Sequence, residues 1–345
     1  MLEVFLGDRI YTQRTPNSKI VEFSLEGEKI NTYDELPQKI KDIIELNENM
    51  ENFPDDYFEY EIKNNEVEII SLKDCSDIND YIKIPDTIKG YPVTKMKSIF
   101  SPTQKKRIKQ IQLPDSINKI SFEAFAGFEK LEEINIPKSL KSLPTNCFRG
   151  CYSLTHIELN NLEKIGSGAF LNCRKLRKID LSNVAELGEK IFCECASLES
   201  VKLPSNITIL PDYTFYECKK LKKVNLSDQI KLIGKSAFCG CECLEEINIP
   251  KQLIRIEQNA FRESEIKVFN APENLKNIKQ GAFWHSAIEE INLNKQLETI
   301  GEFAFSHCKK IKKISMYENT YYDKDAFDYV NKLKIQIIND EKTKK

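Results

Sequence analysis

Residues 237–256 read A-F-C-G-C-E-C-L-E-E-I-N-I-P-K-Q-L-I-R-I, and the same arrangement returns about two dozen residues to either side. Phenylalanines stand at 125, 148, 170, 192, 215, 238, 261, 283, 305 and 327, so neighbours are 22 or 23 residues apart. Each unit follows A-F-x-x-C-x-x-L-x-x-I-x-I, often with a proline next and then two more aliphatics three apart. A fixed period of this length is the mark of coils that stack on one another.

Within Leu244-Glu245-Glu246-Ile247-Asn248-Ile249 the last three residues alternate inward, outward and inward, as a short strand with one buried face does. Strands of successive units then lie in parallel about 4.8 Å apart, and Pro114, Pro137, Pro204, Pro250 and Pro272 close them where no further ladder bond is needed. The phenylalanine falls in the return segment, where one ring per coil builds a spine beneath the convex side. The residue before it is alanine in seven of the ten units, with Cys147, Ile191 and Thr214 in the others, which predicts a tight contact there. Two units are shortened. After Phe261 and Phe283 the cysteine column carries Ser264 and Ser286, and Ile266 and Ile288 come one residue early. Phe269 also replaces a strand isoleucine, so the sheet is expected to bend or widen at that point.

The period and the leucine and isoleucine spacing are those of a leucine-rich repeat. With A-F-x-x-C ahead of the strand and proline after it, the array resembles the BspA-like leucine-rich repeat family. Gly90-Tyr91-Pro92-Val93-Thr94-Lys95-Met96 resembles the way such arrays begin. The resemblance covers about residues 60–338. It departs from commoner leucine-rich repeats in lacking a regular asparagine after the strand, where Ser139, Asn206 and Gln229 stand instead. It implies a curved solenoid and an interaction role without fixing one ligand. The expected fold is therefore an α/β repeat solenoid, mainly β, with a concave parallel sheet and a mostly irregular or short-helical convex side.

Residues 1–59 do not repeat and are expected to cap the first coil, with a separate partner-binding module as the alternative. Val21 to Ile30 alternates around Glu26-Gly27 as a hairpin does, and Leu36, Ile40, Ile43, Ile44 and Asn47 have the spacing of a short amphipathic helix. The solenoid is assigned to residues 60–338, with Leu333 to Ile337 as its last strand, and residues 339–345 to a charged tail.

Hydrophobic residues make up 41% and charged residues 30%, which suits a packed core and excludes a disordered chain. The formal net charge is −2, but residues 31–70 alone carry −9. The remaining +7 is spread over the rest of the chain, which is not the dense basic patch of a nucleic-acid binder; the run Lys105, Lys106, Arg107, Lys109 reads as solvated. No apolar run approaches the roughly 18 residues that cross a bilayer. The amino terminus, M-L-E-V-F-L-G-D-R-I-Y-T, lacks the pattern of a signal peptide, which places the chain in the cytoplasm unless a leader lies upstream.

Eleven cysteines invite a disulfide or zinc reading. Cys151, Cys173, Cys195, Cys218, Cys241 and Cys308 share one column, however, and a stack of parallel buried thiols behaves as a hydrophobic stripe. Cys193-Glu194-Cys195 and Cys239-Gly240-Cys241-Glu242-Cys243 resemble metal hooks but lack paired C-x-x-C knuckles. His285 and His307 share a convex column with Glu263, a set that reads as a weak surface metal site or as solvated polar residues. No nucleophile elbow, phosphate loop or histidine–zinc motif appears, so neither an enzyme nor a cofactor is expected. Asn206-Ile207-Thr208 fits a glycosylation sequon, relevant only to a secreted chain.

The concave face remains. Its outward positions include Glu133, His156, Glu158, Lys178, Asp180, Lys202, Lys223, Asn225, Glu246, Asn248, Asn270 and Asn292, none of them set by the core. Asn225, Asn248, Asn270 and Asn292 form a file expected either to bond lengthwise as an amide ladder or to offer a polar track. These residues predict a monomeric, non-enzymatic scaffold that binds another protein through its concave sheet. The alternative, implied by the family resemblance, is a surface or secreted adhesin.

Overall fold

An aliphatic residue between two polar ones, as in Lys178-Ile179-Asp180, has one side chain to bury and two to expose. Nearly every coil uses this pattern for a short strand. The computed structural model describes residues 55–73, 80–159, 161–330 and 335–338, together with the backbone of Leu2–Leu6, Arg9–Gln13, Phe23–Leu25 and Glu28–Ile30. The chain divides into two compact units, residues 1–53 and 54–345. In the first, Leu2–Leu6 pairs antiparallel with Arg9–Gln13, and Phe23–Leu25 with Glu28–Ile30, the hairpin predicted around Glu26-Gly27. The helix expected at 36–47, most of the region 1–59 expected as a cap, and the tail at 339–345 lie outside the described residues.

In the second unit the strands of successive coils pair in parallel, in two ladders where one was expected. The first ladder joins the I-x-I strands. Its segments are Tyr81–Lys83, Gln110–Gln112 and Glu133–Ile134; then Lys178–Asp180, Ser200–Lys202, Lys223–Val224 and Glu246–Ile247; then Val268–Asn270, Glu290–Asn292, Lys313–Tyr317 and Ile335–Ile338. The central residues Ile134, Ile179, Val201, Val224, Phe269 and Ile291 are buried. An asparagine stands at each break. Asn135 and Asn248 turn their amides back on the main chain of Leu113 and Leu226, occupying both its N–H and its C=O. The predicted bend near Phe269 is thus a gap between Glu246–Ile247 and Val268–Asn270.

The second ladder uses the two aliphatics that follow the proline. Dipeptide strands Ser142–Leu143, Lys164–Ile165 and Glu186–Leu187 form one segment, and six more from Ile209–Leu210 to Tyr321–Tyr322 form the next. At its amino-terminal end Phe58–Lys63 and Glu66–Leu72 make a hairpin through Asn64 and Asn65, both at positive φ. Glu66–Leu72 pairs with Tyr91–Met96, and the outermost strand carries Glu59, Glu61 and Lys63, the charged edge that discourages further pairing.

The return segment has no regular strand, yet it forms a third ladder. From Phe125 to Phe283, main-chain N–H groups two residues before, at, and two residues after the spine phenylalanine donate to the next coil, as Ser236 does to Gln258, Phe238 to Ala260 and Gly240 to Arg262, at 2.7–2.9 Å. The outer two of these donors hold left-handed backbone, which curls the segment tightly around its phenylalanine. Ser236 and Gly240 lie there at φ +51° and +73°, and the equivalent positions of other coils do likewise, including Glu194, Glu217, Glu263, His285 and His307.

Beneath this ladder the ten rings stack face to face, with centroids 5.1–5.8 Å apart and planes within 18°. Phe125 to Phe305 are fully buried, as are Cys147, Ile191 and Thr214 in the small-residue column. Among the described residues ten thiols are free, and only Cys243 is exposed. The column thiols donate to the carbonyl of the preceding coil's phenylalanine, as in Cys173 Sγ to Phe148 O at 3.1 Å and Cys241 Sγ to Phe215 O at 3.2 Å. In the shortened coils Ser286 Oγ contacts Cys308 Sγ at 3.3 Å, but the Ser264 hydroxyl is buried with no partner, a loss of about 1–3 kcal/mol. Helix is confined, among the described residues, to a 3₁₀ turn at Asp55–Tyr57 and to Pro102–Lys105, which starts on a Ser101/Gln104 capping box.

Two outcomes follow from this packing. Phe192→Ala should lower stability by about 3–5 kcal/mol in urea unfolding. Phe327→Ala, at the half-buried end of the stack, should cost clearly less, and equal losses would contradict a continuous spine. Native alkylation at pH 8 with mass mapping should label Cys243 and leave Cys173, Cys195, Cys218 and Cys241 unmodified until denaturant is added.

Candidate functional site

Because successive strand residues point to opposite faces, burying Ile179, Val201 and Val224 forces their flanking residues outward. Register then aligns those flanks. Lys178, Ser200, Lys223 and Glu246 fall in one file and Asp180 and Lys202 in the next. Eleven of the twelve residues predicted for this face are exposed, and Glu158 is half-buried.

The charges pair along the solenoid axis. Lys202 Nζ lies 3.0 Å from Asp180 Oδ2, and Lys223 Nζ lies 2.8 Å from Glu246 Oε2. Partial burial raises the Asp180 carboxyl, but hydrogen bonds from Ser182 and Lys202 outweigh it and hold the group below the usual carboxylate range. The hydrogen bond from Lys223 does the same to Glu246. His156 Nε2 sits 3.7 Å from Glu158 Oε1, in the coil that contributes no regular strand to the first ladder.

The asparagine file does not run as one ladder. Asn292 Nδ2 donates to Asn270 Oδ1 at 2.8 Å, but Asn248 bonds the Leu226 main chain instead, so the amide bonding is confined to one pair. A main chain left without a ladder partner is the stronger competitor for that amide.

On the return side, Glu263 turns to Arg262, at 3.0 Å, rather than to the imidazoles. His285 and His307 stack at 4.5 Å, Tyr329 continues the stack at 4.3 Å, and Trp284 packs edge-on to His285. The Arg262 guanidinium covers the Trp284 ring at 4.2 Å. Burial pushes the His285 imidazole below its ordinary value, and neighbouring His307 adds to the fall. No group of three histidine, cysteine or carboxylate side chains among the described residues is placed to hold a metal ion.

The thiols that looked like metal hooks diverge. Cys241 points into the core, Cys239 packs beside it, and Cys243 faces solvent. Burial pushes the Cys239 and Cys193 thiols up to about 11 and the Cys151 thiol up to about 12, which leaves little thiolate near neutral pH. Lys105 is no free charge either: its amine lies over the Phe128 ring, and Lys109 pairs with Asp80 at 2.7 Å.

A feature of the second ladder escaped the repeat reading. Ile209 and the half-buried Leu232 face outward beside the buried Leu210 and Ile233, and Ile254 faces outward beside the buried Leu253. Its signal in the sequence is an extra aliphatic next to the one each short strand needs.

Among the described residues no helix is long and apolar enough to cross a membrane. No curated protein sequence matches the chain. Among solved structures, a leucine-rich repeat protein from Bacteroides ovatus is 27% identical, over 85% of this chain and 80% of that one, with a TM-score of 0.71. A leucine-rich repeat protein of T. pallidum is 28% identical, over 56% of this chain and 91% of that one, with a TM-score of 0.51. A leucine-rich cell surface protein from Faecalibacterium prausnitzii shares the fold at 19% identity, over 84% of this chain and 94% of that one, with a TM-score of 0.55. The model of the BspA type leucine-rich repeat region matches residues 97–222 and 231–344 in six copies. With most of the sequence inside those two stretches, the chain belongs to the BspA type leucine-rich repeat family.

Proposed function

We propose that this chain is a non-enzymatic scaffold that binds another protein through the outward face of the first ladder. The observation that carries the reading is the contrast between the two sides of each strand. Inward positions are apolar and buried in nearly every coil, with Ile247 half-buried and Ile335 exposed at the last strand, whereas the outward flanks hold lysine, glutamate, aspartate, histidine and asparagine that point away from the core. Axial pairs such as Lys202 with Asp180 and Lys223 with Glu246 present ordered rows of alternating sign. Complementary charge of this kind governs partner choice and association rate more than raw affinity. Glu133, His156, Glu158, Lys178, Asn225, Asn248, Asn270 and Asn292 belong to the same face.

The scaffold acts as a monomer and needs no cofactor. Surface display is the competing setting, and a leader encoded upstream in the reading frame would favour it. Recovery in the cytosolic fraction with reduced thiols would favour a cytoplasmic scaffold.

The test is capture from the native cell, identification of the bound protein by mass spectrometry, and titration of that partner. Changing Lys178, Lys202 and Lys223 together to glutamate should abolish saturable binding while circular dichroism stays the same. Undiminished binding by the triple variant would remove the first ladder from the interface.

A further inference from the structure

Outward residues of the second ladder fall into two neighbouring files, and three pairs of opposite charge link successive coils along them. Lys164 pairs with Glu186 at 2.6 Å, Lys141 with Glu163 at 3.9 Å, and Lys276 with Glu298 at 3.2 Å. Between these pairs the pattern stops. Register places Ile209 beside Leu232 in one file and Ile254 between Lys231 and Lys276 in the other. Ile209 is 53% exposed and Ile254 40%. The aliphatic track they make with Leu232 crosses three coils on a diagonal.

The track lies in a groove of about 380 Å³ whose lining includes Lys231, Arg255 and Lys276 and no carboxylate. Of these, Lys276 reaches Glu298, and Arg255 Nε lies 2.6 Å from Glu257 Oε1 without being aligned for a hydrogen bond. The groove is therefore apolar along its floor and cationic along its rim. Exposed aliphatics in a strand that buries its own core residue add nothing to the coil, and an apolar surface rimmed by charge is what a docking partner covers.

We propose that this groove binds an acidic amphipathic helix of a partner protein, on a surface separate from the outward face of the first ladder. Charge selects the acid: no carboxylate lines the groove, and Lys231, unlike Lys276 and Arg255, has no carboxylate paired with it among the described residues. Spacing selects the helix. Adjacent coils step about 4.8 Å along the axis, and the diagonal from Leu232 to Ile254 lengthens that step, close to the roughly 5.4 Å pitch that separates side chains one helical turn apart. An extended chain repeats a face about every 6.6 Å and falls out of step within three coils. Aliphatics one turn apart meet Ile209, Leu232 and Ile254, and glutamates or aspartates on their flanks meet Lys231 and Lys276.

The probe is a fluorescein-labelled helical peptide of about five turns with leucine every third or fourth residue, glutamate on the flanks and alanine elsewhere. Anisotropy titration against the full chain should give saturable binding that weakens with added salt. Ile209→Glu with Ile254→Glu should reduce affinity roughly tenfold or more. Lys231→Glu should reduce it as well, and the milder Ile209→Ser with Ile254→Ser guards against a folding defect read by circular dichroism. The triple lysine variant of the first ladder should bind the peptide normally, which keeps the two surfaces distinguishable.

Absence of saturable binding would overturn the proposal, as would equal binding of a scrambled peptide or an undiminished Ile209→Glu/Ile254→Glu variant. Self-association in sedimentation that the same double variant abolishes would also overturn it, because the occupant would then be a second copy of the chain.

Discussion

The registry of one coil on the next is the constraint on which the whole array depends. A coil of 22 or 23 residues buries too little on its own. It becomes stable only when its two short strands, its return segment and its phenylalanine all meet equivalents at one height. The stacked rings, never more than 5.8 Å apart, make this demand most stringently, since a shift of half a coil would leave each ring facing a gap. The column thiols reinforce the same registry by bonding the carbonyl of the preceding phenylalanine, so spine and stitching share one residue.

The return segment carries the cost of that registry. A residue with a side chain in the left-handed region loses about 1–2 kcal/mol, and Glu194, Glu217, Glu263, His285 and His307 all accept this conformation. Each obtains in exchange a main-chain hydrogen bond to the next coil, worth about 0.5–1.5 kcal/mol. The two terms nearly cancel. The ladder behind the spine therefore aligns the coils, while the buried rings and aliphatics stabilise them.

How much of this is legible in the sequence depends on whether burial or the backbone decides a feature. The spine, the small-residue column and the thiol column are set by burial, so the spacing of Phe238, Ala237 and Cys241 and of their equivalents reveals them directly. The second ladder is harder to read, because a dipeptide strand such as Lys164–Ile165 is too short to show any alternation. The left-handed column hides for a different reason. Gly127, Gly150 and Gly240 mark it, but Glu217 and His285 occupy the same place in other coils and look like ordinary surface residues. Asn248 misleads outright: its file suggests amide bonding along the axis, yet the nearby Leu226 main chain takes both of its polar atoms. For the candidate site, sequence identifies which residues face outward and leaves open which of them find partners among themselves.

That distinction separates the two strand faces. On the first ladder, outward charge is largely balanced within the face, so a partner must compete with Lys202–Asp180 and Lys223–Glu246 for each ion pair it forms. Binding there trades one exposed pair for another, which favours selectivity over strength. On the second ladder, Ile209 and Ile254 have no internal partner to give up, and burying them removes apolar surface from water at no electrostatic loss. The fixed interior permits both arrangements, because the buried rings and aliphatics stabilise the stack whichever residues the outward positions carry.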